Sequence, residues 1–116
     1  MEINSRLVEA LDNKGLALGE LGKHKEAIEC FNKSLEINSI NGVAWNNKGI
    51  ILALLEKYEE AIECFDKAIE INPRDENAIG ARELALKHLR ERFDSKNQKS
   101  IFRKEAEGER QSQLRL

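Results

Sequence analysis

The chain is poor in the residues that build sheets, covalent staples or membrane spans. Threonine is absent, valine occurs only at Val8 and Val43, and Pro73 is the sole proline. So little threonine and valine argues against a β-sheet fold. No apolar run approaches the roughly 20 residues needed to cross a bilayer. No signal peptide opens the chain, and only two cysteines are present, Cys30 and Cys64. They are one internal period apart, so in a helical stack they lie about one helix spacing, roughly 9 Å, from each other. That is too far for an unstrained disulfide, and the reading is two reduced cysteines in a cytoplasmic protein. The two histidines, His24 and His88, have no ligand-spaced Cys or His beside them, which leaves no metal site. Gly15, Gly19 and Gly22 fall within a helix and its end rather than between a strand and a helix, so there is no phosphate loop. No residue set points to catalysis or to a cofactor. Aromatics make up 5% and the net charge is −2. Without a basic stripe interleaved with aromatics, composition argues against nucleic acid as a partner.

What is present is a repeat. Glu26-Ala27-Ile28-Glu29-Cys30-Phe31 recurs letter for letter as Glu60-Ala61-Ile62-Glu63-Cys64-Phe65. Both copies continue through a near match, Lys33 to Asn38 and Lys67 to Asn72. Residues 8–41 and 42–75 are identical at half their positions. A fixed period of this size marks a stacked-repeat architecture. The composition is rich in Ala, Leu, Glu, Lys and Ile, mostly good helix formers, and the class expected is all-α in one domain. Charge is uneven along the chain. Residues 1–75 carry 9 basic and 14 acidic side chains, and residues 76–116 carry 10 and 7.

Taken in order, Glu2-Ile3-Asn4-Ser5 matches Glu36-Ile37-Asn38-Ser39 and so reads as the end of a preceding repeat (residues 1–7), as in a fragment of a longer array. Spacing predicts a helix over 6–21, with Leu7, Leu11, Lys14, Leu18 and Leu21 as its stripe, and a turn at Gly22-Lys23. A second helix is expected over 24–37, a loop over 38–42, a third helix over 43–55, a turn at Glu56-Lys57, and a fourth helix over 58–71. Pro73 ends that helix. Residues 76–93 read as a capping helix with Arg82, Glu83, Arg90 and Glu91 on a polar outer face. Residues 94–116 read as a polar tail, disordered or forming a docking helix over about 97–108. Helix-interior glycines cost about 1 kcal/mol relative to alanine. Gly15 and Gly49 are therefore expected to face Ala27 and Ala61 in close helix contacts, with Phe31 and Phe65 filling the space between successive hairpins.

Each unit resembles a tetratricopeptide repeat, whose pattern is W-x2-L-G-x2-Y…A-x3-F…P. The second unit supplies Trp45, Gly49, Ala61, Phe65 and Pro73. The first supplies Gly15, Ala27 and Phe31, with Leu11 in place of Trp and Ser39 in place of Pro. Lys14 and Lys48 stand where the pattern has Leu, and Leu18 and Leu52 where it has Tyr. The resemblance implies a right-handed α-solenoid of two antiparallel helix hairpins, 8–41 and 42–75, plus the capping helix.

In that family the first helix of each hairpin lines a concave groove that takes a peptide. By alignment the groove rows are Asp12 with Asn46; Asn13, Asn47 and Ala81; Leu16, Ile50 and Leu84; and Glu20, Leu54 and His88. An Asn amide can both donate to and accept from a peptide backbone. Asn13 and Asn47 are therefore expected to hold the ligand's main chain, with Leu16, Ile50 and Leu84 packing its apolar side chains. Members that clamp the acidic C-terminal tails of heat-shock chaperones use Lys and Asn on the first inner helix, Asn on the second, and Lys and Arg on the third. Only Asn47 is kept here. Asp12 and Leu16 replace the first pair, and Asn77 and Ala81 the last, which argues against an acidic tail. The function expected is a non-catalytic scaffold whose partner is a protein or peptide. The alternative is a homo-oligomer formed through exposed repeat ends, such as Ile3 and Leu7, or through the tail. A molecular mass equal to one chain at every concentration would rule that alternative out.

Overall fold

The computed structural model describes the backbone of residues 4–114 and the side chains of residues 4–98 and Arg103. Five α-helices follow one another: α1 (Ser5–Glu20), α2 (His24–Ile37), α3 (Gly42–Leu54), α4 (Tyr58–Ile71) and α5 (Glu76–Leu114). There is no strand among the described residues. The chain divides into two units, Met1–Leu86 and Lys87–Leu116.

In the first unit α1 pairs with α2, α3 pairs with α4, and α2 packs on α3. The fold is an all-α solenoid of helical hairpins. Both hairpin turns use one backbone solution. Lys23 N–H donates to the Leu18 carbonyl and Gly22 N–H to the Gly19 carbonyl, and Lys57 and Glu56 repeat the pattern on Leu52 and Ala53. This pair of bonds requires a left-handed residue just past the helix end. Gly22 adopts it at φ 78° and Glu56 at φ 61°. The connections between hairpins are also copies. The Asn38 side chain accepts from Ile40 N–H and the Asn72 side chain from Arg74 N–H. The retained Asn, not the changing Ser39/Pro73 or Ile40/Arg74, shapes the loop.

The close approach within each hairpin differs from the expected glycine–alanine contact. A Cβ placed on Gly15 would stand 2.7 Å from Phe31 Cε1, and one on Gly49 would stand 2.5 Å from Phe65 Cε1. Each glycine is the seat for a phenyl ring of the paired helix. Ala27 and Ala61 are fully buried beside those rings. Phe31 joins Ala27, Leu35, Ala44 and Ile51 in one core cluster, and Phe65 joins Leu52, Ala61, Cys64 and Ala85 in the next. Each ring thus packs within its own hairpin and against the helix that follows.

The rings also re-aim α1. Its buried residues are Val8, Asp12 and Gly15, while Leu11 and Leu18 are half-buried and Leu7, Lys14 and Leu21 are exposed. The expected leucine stripe is therefore turned aside by one position, because the narrow space facing α2 admits small residues only.

α1 begins one turn earlier than the period implies. Asn41 caps α3 by accepting from Ala44 N–H, and Asp75 caps α5 by accepting from Ala78 N–H. The matching position in the first unit is Leu7, which has no acceptor. Asn4 takes the role, accepting from Leu7 N–H, so α1 opens at Ser5. Residues 1–3 of that expected remnant lie outside the described residues.

Asn41 does more than cap. Its Nδ2 donates to Asp12 Oδ2 at 2.8 Å and to Ser34 Oγ at 3.2 Å. One side chain thereby ties α1, α2 and α3 together and satisfies Ser34, which is fully buried where the second unit has Ala68.

The expected break near residue 93 is absent, since α5 runs without interruption to Leu114. Beyond Gly80 the next glycine is Gly108 and there is no proline. The intervening Lys, Arg, Glu, Gln and Ala are good helix formers, so low apolar content does not end the helix. Arg82, expected to face outward, instead pairs its Nε with Asp66 on α4 at 2.5 Å, whereas Glu83 is exposed. In the second unit Arg90 and Glu91 are exposed, and His88 Nδ1 lies 3.8 Å from Glu91. The side chains of Ile101, Phe102 and Leu114, and all of Leu116, lie outside the described residues.

Three effects on unfolding free energy follow. Gly49→Ala should destabilise by about 1–3 kcal/mol through overpacking against Phe65, whereas Gly80→Ala, with open space around the site, should stabilise by about 0.5–1 kcal/mol. Asn41→Ala should cost about 2–4 kcal/mol, because it removes a helix cap and leaves Asp12 and Ser34 unpaired. Urea denaturation followed by circular dichroism measures all three.

Candidate functional site

Because each Phe ring holds its hairpin closed from inside, the outer edges of α1 and α3 are left to carry larger side chains. Two adjoining cavities run along these helices. The first, about 300 Å³, is lined by Ser5, Val8, Glu9, Asp12, Asn13 and Leu16 of α1 together with Asn38, Asn41 and Val43. The second, about 270 Å³, is lined by Leu16, Gly19 and Glu20 of α1, Phe31 of α2, and Asn47, Ile50, Ile51 and Leu54 of α3. Leu16 is common to both and joins them into one furrow.

Of the residues proposed from the sequence, Asp12, Asn13, Leu16, Glu20, Asn47, Ile50 and Leu54 line this furrow. Asn46 lines neither cavity. It is half-buried, and its Oδ1 is enclosed without a hydrogen-bond partner. Leu84 is exposed on α5 in the same unit, while His88 belongs to the second unit. Leu16, Ile50 and Leu84 are 44%, 40% and 55% exposed, so each offers apolar surface to solvent.

The two cavities differ in chemistry. The second is almost wholly apolar, apart from Glu20 at its edge and the Asn47 amide. The first is polar and acidic, with Glu9, Asp12, three asparagines and Ser5. No Lys, Arg or His lines either one. Sequence reasoning missed Asn38 and Asn41, taking 38–42 as a loop by composition. The available signal was Asp75, one period after Asn41, at a second helix start.

Elsewhere the chemistry is structural. Cys30 and Cys64 are both free thiols in the core. Burial pushes the Cys64 thiol up, against the opposing pull of Lys48, which makes it a poor nucleophile at neutral pH. Trp45 donates its indole N–H to the Ser39 carbonyl at 2.9 Å and lies under the Lys48 ammonium at 5.6 Å, pinning the loop before α3. Among the described residues no group of three His, Cys, Asp or Glu could hold a metal ion. No described helix is long and apolar enough to cross a membrane.

The tetratricopeptide repeat model matches residues 8–41 and 42–75. No curated protein matches this sequence at a significant level. Among solved structures, the chain is similar to the first TPR domain of Spaghetti (RPAP3) bound to the HSP90 peptide SRMEEVD. The identity is 25% and the TM-score 0.75, over 78% of this chain and 72% of that one. It is also similar to the TPR domain of Arabidopsis OM64, at 26% identity and TM-score 0.68, over 70% and 67%. The TPR2B domain of yeast Sti1, solved as a pHsp70 complex, shares the fold at 22% identity and TM-score 0.72, over 75% and 70%. With two consecutive repeats matched and the hairpin geometry built on both, the chain belongs to the tetratricopeptide repeat family.

Proposed function

We propose that the chain is a non-catalytic interaction scaffold that holds an extended or helical protein segment along the furrow of α1 and α3. The observation that carries this reading is the furrow itself, two cavities joined at Leu16 with apolar side chains left in solvent beside side-chain amides. Asn13 and Asn47 bond the main chain of the segment, and Leu16, Ile50 and Leu54 pack its apolar side chains. Leu84, further along on α5, extends the apolar row. Peptide binding by the Spaghetti domain supports the same use of the fold.

The ligand class differs from the acidic tail seen in that structure. Glu9, Asp12 and Glu20 are the charged residues of the furrow, and no cation lines it. A peptide ending in acidic side chains and a free carboxylate meets repulsion where a clamp needs lysine or arginine.

Peptides selected from a random display library on the immobilised full chain should bind through this furrow. Asn13→Ala combined with Asn47→Ala should weaken them about tenfold or more, for two lost hydrogen bonds, while SRMEEVD should not bind. Fluorescence anisotropy measures both, and unchanged affinity in the double variant would sink the assignment.

A further inference from the structure

The two units of the chain are opposite in charge. Residues 1–86 hold 10 basic and 16 acidic side chains, a net of −6, whereas residues 87–116 hold 9 and 5, a net of +4. Opposite signs on two parts of one sequence draw separate copies of it together. The second unit also carries Phe93, which among the described side chains is the one aromatic left exposed, at 62%. Leu89 lies one helical turn before it. Arg90 and Lys96, both exposed, stand three residues to either side and so flank the ring on the helix surface. The second cavity of the furrow has the matching form. Leu16, Ile50 and Leu54 give it exposed apolar walls, Gly19 adds no side chain, and Glu20 supplies its single carboxylate. Its volume is about 270 Å³, and roughly 150 Å³ of apolar space already takes a benzene ring.

We infer that this cavity seats Phe93 of a second copy of the chain, with Arg90 or Lys96 of that copy beside Glu20. The inference rests on the proposed groove and names an occupant for it, the basic, phenylalanine-bearing part of α5 from another copy. An aromatic anchor in an apolar pocket with charges at its rim is the arrangement that concentrates binding energy in few residues. A phenyl ring also brings a large apolar area for few rotatable bonds. The acidic balance of the first unit repels a second furrow and attracts the second unit, which selects this pairing over one of furrow with furrow.

The test is sedimentation equilibrium of the full chain from micromolar to millimolar concentration. The mass should rise above that of one chain as concentration increases, and the association should weaken as salt is added. Phe93→Asp and Leu54→Asp, both at exposed positions, should each weaken association about tenfold or more, for one lost apolar anchor. Mixed together, the two variants should associate again, because the first keeps an intact cavity and the second an intact Phe93. A saturating library-selected peptide should dissociate the unmodified chain. A mass of one chain throughout overturns the inference. So does association that survives Phe93→Asp or the peptide, and so does a mixture of the two variants that stays apart. In each of these cases anisotropy of the peptide decides the groove separately: binding that is lost in Asn13→Ala with Asn47→Ala retains the groove without the self-association, and absence of any binding removes both.

Discussion

The seat of a phenyl ring on a glycine is the contact on which the rest depends. Phe31 on Gly15 and Phe65 on Gly49 bring the two helices of each hairpin to a distance at which no Cβ fits between them. The rings are fully buried, and through Ala44 and Ile51, or Ala85, they also meet the helix that follows. One side chain per repeat therefore sets both the closure of a hairpin and the stacking of its neighbour. Interiors are packed too tightly for such a ring to be replaced or shifted without loss.

Against these contacts α1 buries Val8, Asp12 and Gly15 and α3 buries Ala44, Gly49, Ile51 and Leu52. Both helices still leave apolar side chains at the edge, where Leu16, Ile50 and Leu54 remain in solvent. Exposed apolar surface of this kind, flanked by amides and carboxylates, is what the proposed interaction site rests on. The loop before α3 completes it. Asn41 draws Asp12 inward and leaves one of its oxygens without a donor, while Trp45 fixes the loop from the other side. Packing demands and recognition chemistry are thus two faces of the same helices.

Much of this was legible in the residues. The exact copy of Glu26–Phe31 at Glu60–Phe65 gave the period, and the period gave hairpins, turns and class. Gly15 and Gly49 announced close contacts, because glycine in a helix interior needs a reason. Their partner was not legible. A pattern identifies a tight contact without saying whether an alanine or a ring fills it, since the ring reaches one turn along its helix. The leucine stripe of α1 failed for the same reason. Seven of the ten proposed groove residues line the furrow because a fixed period carries their positions with it. Asn41 was missed because its role depends on three helices meeting, which no local window contains. The length of α5 was only partly legible, because weak apolar content set against good helix propensity left residues 94–116 open between a disordered tail and a docking helix over about 97–108.

The most direct test of the account is amide hydrogen exchange of the full chain, with and without a saturating library-selected peptide. Slowed exchange concentrated in α1, in α3 and in the loop at Asn38–Asn41, with α2 and α4 unchanged, is the result expected of a segment seated in the furrow. Protection concentrated in α2 and α4 would place the binding surface on the other side of the hairpins and contradict the account.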